Sequence, residues 1–146
     1  GAALSIAETG HLVLATMHTN TAAGAITRMV DAFPPEKQEV IRMNMSMSLL
    51  AVVAQQLVPT NDGGRVLACE VMVATQAIRA LIRENNVHQL DNYIKSGSKD
   101  GMVLMDDSLM GLFQKGIISD NNLIRYAINI TQMEENMGSI RKQPNI

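Results

Sequence analysis

"TGHLVLATMHTN", residues 9–20, is an apolar run fenced by two of the three histidines in the sequence. Leu12–Met17 is short, apolar and bounded, the pattern of a strand buried on both faces of a parallel sheet. Upstream, "GAALSIAE" reads as a helix that stops at Gly10, a residue suited to the left-handed turn at a helix end. Downstream, Thr21 is placed to cap a helix carrying Ile26, Met29, Val30 and Phe33 on one side, ended by Pro34 and Pro35. A βαβ-type sheet of this kind should have strands ahead of Leu12, so the pattern is met in its middle.

A long helix is expected next, from about Glu36 to Leu57. Its apolar stripe would be Val40, Met43, Met47, Leu50, Ala54 and Leu57, at alternating three- and four-residue steps. The methionines in this stretch read as adaptable core filler, with a flexible binding surface as the alternative. "TNDGGR", residues 60–65, reads as the turn of a hairpin running from "QLV" to "RVLACEVMV". Glu70 lies among apolar residues of that second strand, so it is either solvated or paired. Helical patterns then dominate in "TQAIRALIRENN", "VHQLDNYIKSG", "DDSLMGLFQKG" and "SDNNLIRYAINI", with Gly97 and Gly116 at the ends of two of them. Asp106 and Asp107 read as caps where a helix begins. The expected organisation is an α/β unit over residues 1–74, a helical unit over 75–132 and a frayed polar tail over 133–146.

Composition narrows the classes. With 146 residues, 47% hydrophobic and 18% charged, the sequence is that of one globular domain with a sizeable core. A net charge of −2 gives no field to hold a polyanion, so nucleic acid is not an expected partner. The single cysteine, Cys69, allows no internal disulfide and no CxxC metal clamp, and it suits a reducing cytosol. No basic-then-apolar leader is present, and the longest purely apolar run, Leu49–Ala54, cannot cross a bilayer.

Ligands of open α/β sheets bind beyond the carboxyl ends of the strands. His18 lies at that end of the Leu12–Met17 run and His11 at the other, so His18 is the better placed to donate a hydrogen bond to a phosphate. Local satisfaction of both histidines is the simpler alternative, and no third residue stands at metal spacing. No GxxxxGK[ST] loop occurs anywhere in the sequence. In "AIRALIREN", Arg79 and Arg83 share a helix face while Ile78, Leu81 and Ile82 form the other. A solvated surface is again the plain reading of that pair.

"AETGHLVLATMHTNTAAGAITRMVDAFP" resembles the His box of the secretion ATPase superfamily, in which two histidines flank the strand after the Walker B segment. His11 and His18 match those histidines, with Met17 where leucine is commoner, and Arg28 matches the arginine of the following helix. "AIRALIREN" is similar to the AIRNLIRE motif of the PilT branch, the retraction motors of type IV pili, with Ala80 in place of asparagine. "HQLDNYIKSGSKDGMVLMDDSLMGLFQKGIIS" continues in the same register, so the resemblance covers nearly all of residues 2–128. Pilus-assembly and type II secretion relatives commonly carry a four-cysteine zinc insertion between the long helix and the following strand. Leu57 to Arg65 contains no cysteine, which favours the PilT side.

The resemblance implies an α/β fold, the second half of a RecA-like P-loop ATPase domain followed by an all-helical C-terminal subdomain. It implies a hexameric motor that hydrolyses ATP with Mg2+ to retract pili. The motor would sit in the cytoplasm at the inner face of the cytoplasmic membrane, against an inner-membrane pilus platform protein. His18, and with it His11, would be catalytic at the γ-phosphate, with Arg28 in the nucleotide cleft. Ala77, Ile78, Arg79, Leu81, Ile82, Arg83 and Glu84 would form an effector face. The phosphate loop and the Walker B acid would lie upstream of residue 1, leaving these 146 residues inactive alone. The alternatives are a non-catalytic assembly or adaptor module, or a related pilus-assembly, secretion or DNA-uptake ATPase.

Overall fold

The computed structural model describes residues 2–141. Helices α1 (Ala2–Glu8), α2 (Ala22–Asp31) and α3 (Pro35–Ser48) precede a hairpin of β1 (Ala51–Pro59) and β2 (Arg65–Val73). Five helices follow: α4 (Gln76–Arg83), α5 (Leu90–Ser96), α6 (Met105–Gln114), α7 (Asp120–Tyr126) and α8 (Ile130–Arg141). Several boundaries follow local chemistry. Gly10 takes φ +89 after α1, Thr21 Oγ1 accepts the Gly24 amide at 3.1 Å to cap α2, and Pro35 opens α3 as its first residue.

Leu12–Met17 forms no strand. The segment is extended between α1 and α2 without a ladder partner, and Leu12 and Leu14 are 77% and 91% exposed. A strand needs a hydrogen-bonded neighbour, and among the described residues the one sheet is the two-stranded β1–β2 hairpin, which does not reach this segment.

The expected helix to Leu57 stops at Ser48, because Leu49 turns to extended backbone at φ −66, ψ 130. From Ala51 a two-residue period takes over. Ala54 and Val58 point inward, Val53 and Leu57 outward, and the β-branched Val52, Val53 and Val58 favour the strand. The apolar stripe foreseen for one long helix is therefore divided and largely solvent-facing. Val40, Met43, Met47, Leu50 and Leu57 are all exposed, while Met45 and Ala54 are core. Of the methionines read as filler, only Met45 fills.

β1 and β2 pair antiparallel from Ala51↔Val73 to Pro59↔Arg65. In the turn the Thr60 hydroxyl donates to the Asp62 carboxylate and Gly63 takes φ +89. The outer edge of β2 is covered, since Val71 and Val103 exchange backbone hydrogen bonds of 2.9 and 3.1 Å. The outer edge of β1 pairs with nothing among the described residues.

Two apolar clusters meet at this hairpin. One joins Ile26 and Met45 to Met72, Ile78, Ile82 and Leu90, on both sides of position 75. The other joins Val58 and Ala68 to Met105, Leu109, Leu123 and Met133. Asn122 Nδ2 donates to Pro59 O at 2.9 Å and Asn61 Nδ2 to Gly116 O at 2.9 Å, which seats the hairpin tip on the helices. The tail expected to fray from residue 133 is helical to Arg141, because Met133 and Met137 are 2% and 8% exposed in that second cluster. Residues 142–146 of that expected tail lie outside the described residues. No helix among those described is long and apolar enough to cross a membrane.

Candidate functional site

His11 and His18 bracket the extended segment, and both are exposed. The Thr9 hydroxyl donates to Ile6 O at 2.7 Å, and the same hydroxyl oxygen lies 3.0 Å from His11 Nδ1. His18 is held through its backbone. Arg28 Nη1 donates to His18 O at 3.3 Å, tying the His18 turn to α2. No strand among the described residues ends at His18. A largely apolar cavity of about 830 Å³ lies between α1, the extended segment, α2 and α3, bordered by His11, Arg28, Met29 and Phe33 and not by His18. No group of three or more His, Cys, Asp or Glu among the described residues converges to hold a metal.

The α4 motif divides sharply. Ile78, Leu81 and Ile82 are core, as their shared face requires. They carry the fold rather than a surface. Arg79 is half-buried and makes three hydrogen bonds: Nε donates to Ala74 O at 2.8 Å, and Nη1 to Ser46 O at 2.7 Å and Met47 O at 2.9 Å. Ser46 and Met47 lie in the last turn of α3, whose terminal carbonyls have no intrahelical donors, and that turn carries no basic residue of its own. Arg79 thus caps α3 from outside. Ala77, Arg83 and Glu84 remain exposed, and Arg83 has no ion-pair or hydrogen-bond partner among the described residues. The expected common face of two arginines is therefore one clamp and one free cation. Glu84 accepts from Asn86 Nδ2 at 3.4 Å. Asn85 at φ +60, with Asn86 N on Leu81 O at 2.8 Å and Asn85 N on Ile82 O at 3.2 Å, closes α4 in a Schellman turn.

Two carboxylates carry more structure than their sequence context suggests. Glu70, 2% exposed, is paired with backbone amides: Ala22 N at 2.6 Å and Met105 N at 3.1 Å. Burial pushes its carboxyl above the ordinary 4.5, those two amides pull it down, and Asp91 and Asp106 add to the rise. Its parity was the available signal, since Ala68, Glu70 and Met72 alternate along β2 and all three are buried. Asp106 lies in the first turn of α6 but serves another helix, accepting Ile128 N at 2.7 Å and Asn129 N at 2.9 Å ahead of α8. Cys69 is half-buried with a free thiol, and His88 is exposed.

The family model described as type II/IV secretion system protein matches residues 1–125. Over 134 residues the chain is 44% identical to the twitching motility protein of Neisseria gonorrhoeae, covering 91% of this chain and 36% of that protein. Over 120 residues it is 48% identical to the type IV pilus retraction ATPase PilT of Pseudomonas aeruginosa, covering 82% of this chain and 35% of that protein. Among solved structures, that of the pilus retraction motor PilT with bound ADP superposes with a TM-score of 0.83 at 38% identity, covering 92% of this chain and 37% of that one. The chain spans about a third of the length of the relatives it matches.

Proposed function

The chain belongs to the type II/IV secretion system protein family and is PilT-like in sequence and fold, and on that premise we propose that it is the downstream part of a motor that hydrolyses ATP to power type IV pilus retraction. The observation that carries this reading is a single match running from the histidine-bordered segment through the helices, to proteins named for twitching motility and pilus retraction. The unpaired Leu12–Met17 run and the open edge of β1 are where the remaining strands of such an α/β domain would be seated.

In this proposal the rest of the motor holds the triphosphate and the attacking water. This chain contributes hydrogen-bond donors where phosphoryl-transfer charge develops. His18 is the first candidate and His11 the second, with Arg28 setting the His18 turn through its carbonyl. In this proposal the magnesium ion belongs with the phosphates in the remainder of the motor, and no step here runs through it. Six copies would form the ring, in the cytoplasm against the inner-membrane platform protein, with Ala77, Arg83 and Glu84 as the exposed part of the effector motif.

Phosphate release by the purified full-length protein tests the reading. ATP-dependent turnover is expected. Its absence from an assembled ring would favour a non-catalytic adaptor.

A further inference from the structure

Glu70 is the one buried ionisable side chain among the described residues, and its carboxylate is shared between two helices. Oε1 accepts the amide of Ala22, the first residue of α2, and Oε2 that of Met105, the first residue of α6. Helix α6 has Leu104 at its N-cap and no side-chain cap, so Glu70 supplies what the local sequence lacks. The next residue along, Asp106, holds the amides of Ile128 and Asn129 just ahead of α8. Two carboxylates therefore join the starts of α2, α6 and α8. At the far side, Arg28 on α2 holds the carbonyl of His18.

The two Glu70 bonds are buried, and a buried N–H that loses its acceptor carries the whole desolvation penalty, whereas the Asp106 and Arg28 bonds lie at the surface. A shift at the start of α2 must carry the start of α6 with it or leave such a group unsatisfied. Hydrogen-bonded networks of this kind can carry coupling between sites. We propose that Glu70 is a positioning residue that couples the His18 turn to the start of α6, and through Asp106 to α8. The inference rests on the reading of His18 as a nucleotide-side residue.

Hydrogen–deuterium exchange of the full-length protein with and without AMP-PNP, an ATP analogue that resists hydrolysis, tests it. In the wild type the analogue should slow exchange in residues 18–26, 104–110 and 127–131. In Glu70→Gln the side-chain NH2 must face one of the two backbone donors, so one link is lost. The response of residues 18–26 should then persist, while that of 104–110 falls about fivefold or more, the lower end of an allosteric coupling. Should Glu70→Gln lose its helical circular-dichroism signal, Asp106→Asn carries the test, keeping the response at 104–110 and losing it at 127–131. Wild-type responses retained throughout the folded variant overturn the coupling, as does a wild type that responds at 18–26 and not at 104–110. No response at 18–26 in the wild type overturns the nucleotide-side reading of His18 instead.

Discussion

Arg79 reaches Ser46 through a 2.7 Å hydrogen bond from its guanidinium to a carbonyl in the last turn of α3. Two more bonds, to Met47 O and Ala74 O, leave this side chain joining α3, the end of β2 and α4. The arginine one turn later in the same helix, Arg83, has no such tie and faces solvent.

The two arginines should therefore separate on substitution. Arg79→Ala should cost about 2 kcal/mol, the range for losing hydrogen bonds from a charged donor. Arg83→Glu should stay within about 0.5 kcal/mol, as exposed changes usually do. Denaturant unfolding of the full-length protein checks both. If Arg83 is the docking cation of the effector motif, Arg83→Glu should also keep ATP hydrolysis while abolishing twitching. Normal twitching in that variant would remove Arg83 from the effector face.

Much of this was legible in the residues, and the failures have physical causes. The Thr21 cap, the Gly10 stop and the hairpin around residues 60–65 rest on local chemistry, and the structure has them all. Leu12–Met17 has a strand's composition, but a strand is a property of two segments, and one sequence window does not contain the neighbour. In Glu36–Leu57 a helical stripe and a two-residue alternation overlap. The switch at Leu49 is marked only by the valines beyond it. The Arg79 and Asp106 contacts cross 33 and 22 residues of sequence, respectively, beyond the reach of any local pattern. The helix over Ile130–Arg141 leaves little local signal, because Met133 and Met137, four apart, form a narrow stripe in an otherwise polar segment.

His18→Ala in the full-length protein should lower kcat about tenfold, roughly 1.4 kcal/mol, with KM little changed, because a donor at the γ-phosphate acts mainly as transition-state charge develops. Steady-state phosphate release decides it. An unchanged kcat with a raised KM would assign His18 to ground-state binding.

Residues 1–146 alone should release no phosphate from ATP, because no GxxxxGK[ST] loop is present to hold the triphosphate with its backbone amides. Turnover by this segment at the rate of the full-length protein would contradict the division of labour proposed for it.

Glu70 makes a signed pH prediction. Its folded pKa lies above the ordinary 4.5, so the folded protein binds that proton more tightly than the unfolded chain. Its contribution to stability is greatest below the unfolded value and declines as pH rises through the folded one. Glu70→Gln does not titrate. Wild-type stability minus that of Glu70→Gln should therefore fall as pH rises from about 4 toward 7. A rise in that signed quantity with pH would mean that the two amides and the helix starts outweigh burial at this site.

Pilus retraction in cells is the most direct measure of the central claim. In a strain deleted for the full-length gene, surface pili should remain while retraction and twitching stop, and the intact gene should restore both. Loss of the pili themselves, or retraction at the normal rate in a strain with no second retraction motor, would contradict the assignment of this chain to a retraction motor.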